Sequence, residues 1–112
     1  MTDRSSIRVA LAQLNPTVGD VAGNRDLIAA AHEEAAAAGA DLLVTPELSL
    51  VGYPPRDLLH REALLDACEG ALADLAGRTA DGPALVVGTP ARHEGPGRPL
   101  RNVAAACVDG EV

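Results

Sequence analysis

Glu47 is the residue of this chain best placed to do chemistry. It follows Val44-Thr45-Pro46, at the C-terminal end of a short apolar run that reads as a strand buried on both faces. Loops at that end of open α/β sheets are where ligands bind, and a carboxylate set there against an apolar core can act as a general base. Position alone also allows a solvated loop glutamate, the usual state of an exposed carboxylate. Tyr53, the single aromatic residue of the chain, follows in the same loop. Its apolar body and polar tip suit it either to line a substrate pocket beside Glu47 or to pack over the loop. Cys68, in Leu65-Asp66-Ala67-Cys68-Glu69, falls on the apolar face of a predicted helix. Cys107, in Ala104-Ala105-Ala106-Cys107-Val108, falls inside a predicted strand. Both read as buried structural thiols rather than nucleophiles.

Other chemistries find no support. The two cysteines have no C-x-x-C spacing and no His/Cys cluster, so neither a disulfide framework nor a zinc site is expected, and no metal site is assigned. His32, His60 and His93 are scattered and read as surface residues. Gly95-Pro96-Gly97 does not open a helix, as a phosphate-binding loop would. Asp57, after Arg56, suits the start of a short helix, where the dipole favours a carboxylate. The net charge of −7 argues against nucleic acid or an anionic membrane as partner. All nine basic residues are arginine. No run of about 20 apolar residues spans a bilayer. The polar opening Met1 to Ile7 is not a signal peptide, which makes the cytoplasm the default.

The elements that must position these residues follow from pattern. Ile7 to Leu14 reads as a strand ended by Asn15-Pro16. Asp20 is placed to cap a helix running to about Ala38, with Leu27, Ile28, Ala31, Ala35 and Ala38 on its apolar side, Arg25, His32 and Glu33 on the other, and Gly39 as its stop. Asp41 to Thr45 is the second strand. Glu47 to His60 is loop-like, with a helical turn at Asp57-Leu58-Leu59. A second helix spans roughly Arg61 to Ala76, with Leu64, Cys68, Ala71, Leu72 and Leu75 on one face and Glu62, Asp66 and Glu69 opposite. Ala84 to Gly88 is a third strand, Ala91 to Pro99 a loop, and Asn102 to Val108 a fourth strand ended by the hairpin signal Asp109-Gly110. Strand–helix alternation predicts an α/β layer fold with parallel strands that turn antiparallel at the end. With 22 alanines and no Phe or Trp, each core residue buries little area, so stability must come from extensive packing between layers. A returning strand after Asp109-Gly110 with only two residues would leave an open edge, and the chain is expected to be truncated.

The wording around Glu47 narrows the reading. Thr45-Pro46-Glu47-Leu48-Ser49-Leu50-Val51-Gly52-Tyr53-Pro54-Pro55-Arg56-Asp57-Leu58-Leu59 resembles the segment that carries the first catalytic residue of the nitrilase, or carbon–nitrogen hydrolase, superfamily. Its continuation from Gly52 to Leu59 is similar to the glutaminase domain of glutamine-dependent NAD synthetases. So is the opening Ala10-Leu11-Ala12-Gln13-Leu14-Asn15-Pro16-Thr17-Val18-Gly19-Asp20 with Gly23-Asn24. Ala84 to Gly88 and Asn102 to Gly110 fit the superfamily's next two strands, so the resemblance covers nearly the whole chain.

The resemblance implies an αββα sandwich, of which residues 1–112 would be the N-terminal portion of a single glutaminase domain. It also implies a Glu–Lys–Cys set. Glu47 would deprotonate the nucleophilic cysteine, the cysteine would attack the glutamine side-chain amide, and the lysine would stabilise the oxyanion. With no lysine present and neither cysteine at a strand-to-helix elbow, the chain would carry one member of three and be inactive alone. The parent enzyme would convert deamido-NAD, ATP and glutamine to NAD, AMP, pyrophosphate and glutamate. ATP and Mg2+ would belong to an absent synthetase domain, and the full-length protein would be a homo-oligomer. The alternatives are another amidase of the superfamily, or a non-catalytic α/β assembly domain that keeps Glu47 as a relic.

Overall fold

A computed structural model of the chain describes residues 6–97 and 99–112; the polar opening Met1–Ser5 lies outside them. Capping sets the first helix. Asp20 accepts from the Gly23 backbone N–H at 3.0 Å and so starts α1, Val21–Ala37. A side chain at Gly23 would meet the Asp20 carboxylate at 2.2 Å, so glycine lets the cap sit this close. At the other end Gly39 takes a positive φ of 76°, and the bonds Ala40 N to Ala35 O and Gly39 N to Ala36 O close the helix. This is the paired-bond termination that glycine permits. The second helix, α2, spans Glu62–Arg78. A short 3-10 turn over Arg56–His60 precedes it, with Asp57 in its first turn as the sequence suggests.

Four strands form one sheet in the order β1 (Val9–Leu11), β2 (Leu42–Val44), β3 (Ala84–Arg92) and β4 (Leu100–Cys107). The first three run parallel and β4 returns antiparallel to β3, the expected α/β topology. β1 is shorter than Ile7–Leu14. Beyond Ala12 N to Val44 O at 2.9 Å, β2 has ended and no further strand partner remains among the described residues. β3 is longer than expected, because its pairing with β4 extends to Arg92 opposite Leu100 and leaves a shorter connection. After β4, Asp109 and Gly110 both take positive φ (52° and 87°), and Val108 and Glu111 exchange backbone hydrogen bonds of 2.8 and 3.0 Å. That is the two-residue hairpin geometry whose twist matches the strands.

Both helices cover one face of the sheet. Ile28 of α1 and Leu75 of α2 pack with Leu43, Leu85, Val87 and Cys107, all 2% exposed or less. Burying each such large side chain stabilises by about 1.5–3 kcal/mol. The buried stripe of α1 is Val21, Asn24, Ile28, His32 and Ala35, rotated from the expected one. Leu27 is 42% exposed, and His32, expected at the surface, is buried and donates from Nε2 to Pro83 O at 2.9 Å. The reason is periodicity: His32 lies one turn beyond Ile28, and its ring fits because Gly82 has no side chain there. The acidic stripe of α2 also differs from a purely solvated face. Glu62, Asp66 and Glu69 all accept from Arg92, at the end of β3. The bonds to Glu62, then Glu69 and Asp66, push the guanidinium pKa further up. Among the described residues no helix is long and apolar enough to cross a membrane.

Candidate active site

Glu47 sits in a tight turn inserted between two stretches that pair with β3. Thr45 N donates to Val86 O at 3.0 Å and Leu50 N to Gly88 O at 3.1 Å. Between them Pro46 to Ser49 loops over the strand, closed by Ser49 N to Pro46 O at 3.2 Å, with Leu48 held at a positive φ of 51°. A non-glycine residue in that region costs about 1 kcal/mol or more and persists only when its surroundings fix it. They do so through Gly88. A side chain there would lie 2.3 Å from Pro46 O and 2.5 Å from Leu48 N, so only glycine lets the turn lie this close. Below it, the buried hydroxyls of Thr45 and Ser49 bond to each other at 2.8 Å. Thr45 also donates to Val86 O at 3.0 Å and accepts from Gly88 N at 3.3 Å.

A second tie comes from α1. Asn24, 1% exposed, donates from Nδ2 to Thr17 O (2.8 Å) and Leu50 O (3.1 Å), and accepts from Thr17 N at 2.8 Å. It thereby joins the loop after β1 to the loop after β2. The two loops also meet directly: Gly19 N donates to Val51 O at 2.8 Å, and the Gly52 backbone approaches Val18 too closely to carry a side chain. Both loops are thus set by the backbone and by one buried amide.

The Glu47 carboxylate itself is exposed. Its Oε1 accepts from Asn102 Nδ2 of β4 at 2.6 Å, while Oε2 has no partner among the described residues. Around it lies an open recess of about 320 Å³ lined by Val44, Pro46, Val86, Gly88, Asn102 and Ala104. Strand register fixes the face. Gly88 pairs with Ala104 and Pro90 with Asn102, whereas Leu85, Val87, Ala105 and Cys107 alternate onto the helix-covered side. Glu47 therefore stands on the face away from the helices.

The other candidates lie elsewhere. Cys68 and Cys107 are 1% and 0% exposed on the helix side, and burial pushes both thiol pKa values up. The sheet separates both from Glu47. Tyr53 is 65% exposed and does not line the recess. Among the described residues no group of three or more His, Cys, Asp or Glu side chains could hold a metal ion. Sequence reading missed Asn102, Asn24 and Gly88. Asn24 could have been found from its place one turn before Ile28, and Gly88 from being a glycine inside a strand; Asn102 gave no signal beyond its strand. An accessible carboxylate with one oxygen anchored and the other unpartnered can accept a proton from a group brought into the recess.

Comparison with known proteins bears on the family and the fold. The carbon-nitrogen hydrolase family profile matches residues 8–108. The glutamine-dependent NAD(+) synthetase of Rhodobacter capsulatus is 49% identical over 90 residues, 80% of this chain and 16% of that protein. The chain thus spans about a sixth of that relative's length. The structure of the glutamine-dependent NAD+ synthetase of Acinetobacter baumannii in complex with ADP superposes with a TM-score of 0.85 at 35% identity, over 95% of this chain and 19% of that one. A mutant amidase from Nesterenkonia sp. AN1, with the acetamide moiety of fluoroacetamide added covalently at its active-site cysteine, superposes with a TM-score of 0.78 at 33% identity, over 99% and 42%.

Proposed function

The chain belongs to the carbon–nitrogen hydrolase family, and on that premise we propose that it is the N-terminal part of a glutaminase domain supplying ammonia for ATP-dependent conversion of deamido-NAD to NAD. The observation that carries this reading is Glu47, an accessible carboxylate at the end of β2, within a chain whose relatives include NAD synthetases at 42–49% identity. The Nesterenkonia likeness supports the same thiol chemistry, and the TM-scores, 0.85 against 0.78, favour the synthetase over a lone amidase.

In this reading Glu47 takes the proton of a cysteine thiol, because the thiolate and not the thiol attacks an amide carbon. The proton then passes from Glu47 to the departing nitrogen, and ammonia leaves. Glu47 next takes a proton from water, whose oxygen attacks the thioester to release glutamate and restore the thiol. The oxyanion of each tetrahedral intermediate needs a fixed positive or hydrogen-bond-donating group. The sequence contains no lysine, and Cys68 and Cys107 lie across the sheet, so in this reading the lysine and cysteine of the set would have to come from outside residues 1–112. Tyr53 is proposed as a contact to substrate at the rim of the loop. Tyr53→Ala should raise the glutamine KM about fivefold, equivalent to about 1 kcal/mol, with little change in kcat.

ATP, Mg2+ and deamido-NAD are assigned to a synthetase domain. Gly95 and Gly97 lie between two strands and open no helix, so they do not form a phosphate cradle. The full-length protein, given glutamine, ATP and deamido-NAD, should release one glutamate for each NAD formed, and ammonium should replace glutamine. Amide hydrolysis without any NAD formation would overturn the proposal in favour of a lone amidase.

A further inference from the structure

We propose that Asn102 is a positioning residue for the glutaminase step, holding Glu47 in one orientation so that Oε2 is the oxygen that exchanges the proton. The inference rests on the reading of Glu47 as the proton acceptor. A carboxylate accepts only, so the 2.6 Å contact must be the amide Nδ2 of Asn102 donating to Oε1. Asn102 lies on β4, and β3 runs between it and the turn that carries Glu47. The reach across β3 passes Gly88, which carries no side chain, and Ala104, two residues along β4 from Asn102, adds only a methyl to the recess. Among the described residues Asn102 is the only donor to the carboxylate.

The choice of an amide has a chemical reason. A glutamate on an exposed turn samples several rotamers, and a base misplaced by an ångström loses much of its rate. A lysine or arginine would also fix the carboxylate, but an adjacent cation stabilises its ionised form and weakens it as a base. A neutral donor fixes the orientation without placing a full positive charge beside the base. Anchoring Oε1 alone also leaves one oxygen to serve in every proton transfer of the cycle.

The test uses the full-length enzyme and compares glutamine-dependent with ammonium-dependent NAD formation. Asn102→Ala should lower the glutamine-dependent kcat by about tenfold to a hundredfold, leave the glutamine KM nearly unchanged and spare the ammonium-dependent rate. Asn102→Asp keeps the shape but sets a second carboxylate against Glu47, so it should be more damaging than Asn102→Ala. A purely structural role predicts the opposite order, with the isosteric change the milder one. Combined with Glu47→Gln, Asn102→Ala should cost nothing further, because the two act as one unit. Full glutamine-dependent activity in Asn102→Ala, a milder effect of Asn102→Asp, or equal loss of both rates would each overturn the proposal. Retention of the glutamine-dependent rate by Glu47→Gln would instead strike down the reading beneath it.

Discussion

On one face of the sheet Leu43, Leu85, Val87 and Cys107 lie beneath two helices at 2% exposure or less. On the other, Val9 and Leu11 stand 46% and 75% exposed, and Glu47 meets Asn102. The strand residues themselves are equally apolar on both sides: Leu42 and Val44 face one way, Leu43 the other. The covered face puts its two nucleophilic side chains, Cys68 and Cys107, where burial keeps them protonated and inert. The open face puts a carboxylate where substrate can reach it, and fixes it from below with Gly88, Thr45 and Ser49. Largely apolar strands thus give a core on one side and an open recess with an accessible carboxylate on the other, and what decides is where the loops after β1 and β2 cross over.

That division can be broken selectively. Gly88→Ala should act on the open face alone. The added methyl would meet Pro46 O at 2.3 Å and displace the turn, and a shift of that kind costs about a hundredfold in rate. We expect that loss in glutamine-dependent NAD formation by the full-length enzyme, with ammonium-dependent formation retained. Asn24→Ala reaches the same face from the helix side. It removes three hydrogen bonds and leaves the buried Leu50 O without its partner, while Thr17 O keeps its bond from Asp20 N. Buried groups left so cost about 1–3 kcal/mol, readable as a lower denaturant midpoint in the full-length protein.

The smallest effect concerns the covered face and pH. Burial raises both thiols above their ordinary value of 9.0. The folded state therefore keeps protons that the unfolded chain gives up. Their contribution to stability is fully present below about pH 8 and declines as pH rises through 9 and beyond. A denaturation midpoint that falls more steeply between about pH 8 and pH 10 in the parent than in a Cys68→Ala/Cys107→Ala variant would bear this out. An identical slope would contradict it.

Much of this was legible in the residues. Asp20, Gly39 and Asp109-Gly110 each announce a local geometry that needs no tertiary partner, and all three are found as read. The topology followed from strand–helix alternation. What escaped depended on the far side of the molecule. His32 looked solvent-facing because a titratable ring is usually outside, yet Pro83 O and the gap at Gly82 receive it. The length of β3 is set by β4, and the role of Asn102 by a carboxylate 55 positions earlier in the chain. Glu47 was visible from its place after a strand; its anchor was not, because no local pattern marks an amide that reaches across a strand.

The central claim, that Glu47 is the base of a glutaminase, is tested most directly by Glu47→Gln in the full-length enzyme. The change keeps the side chain's size and removes its basicity. Glutamine-dependent NAD formation should fall by about 10²- to 10⁴-fold, while added ammonium should restore the wild-type ammonia rate, because the synthetase chemistry does not use this carboxylate. A variant that keeps its glutamine-dependent rate, or loses both rates together, would contradict the account.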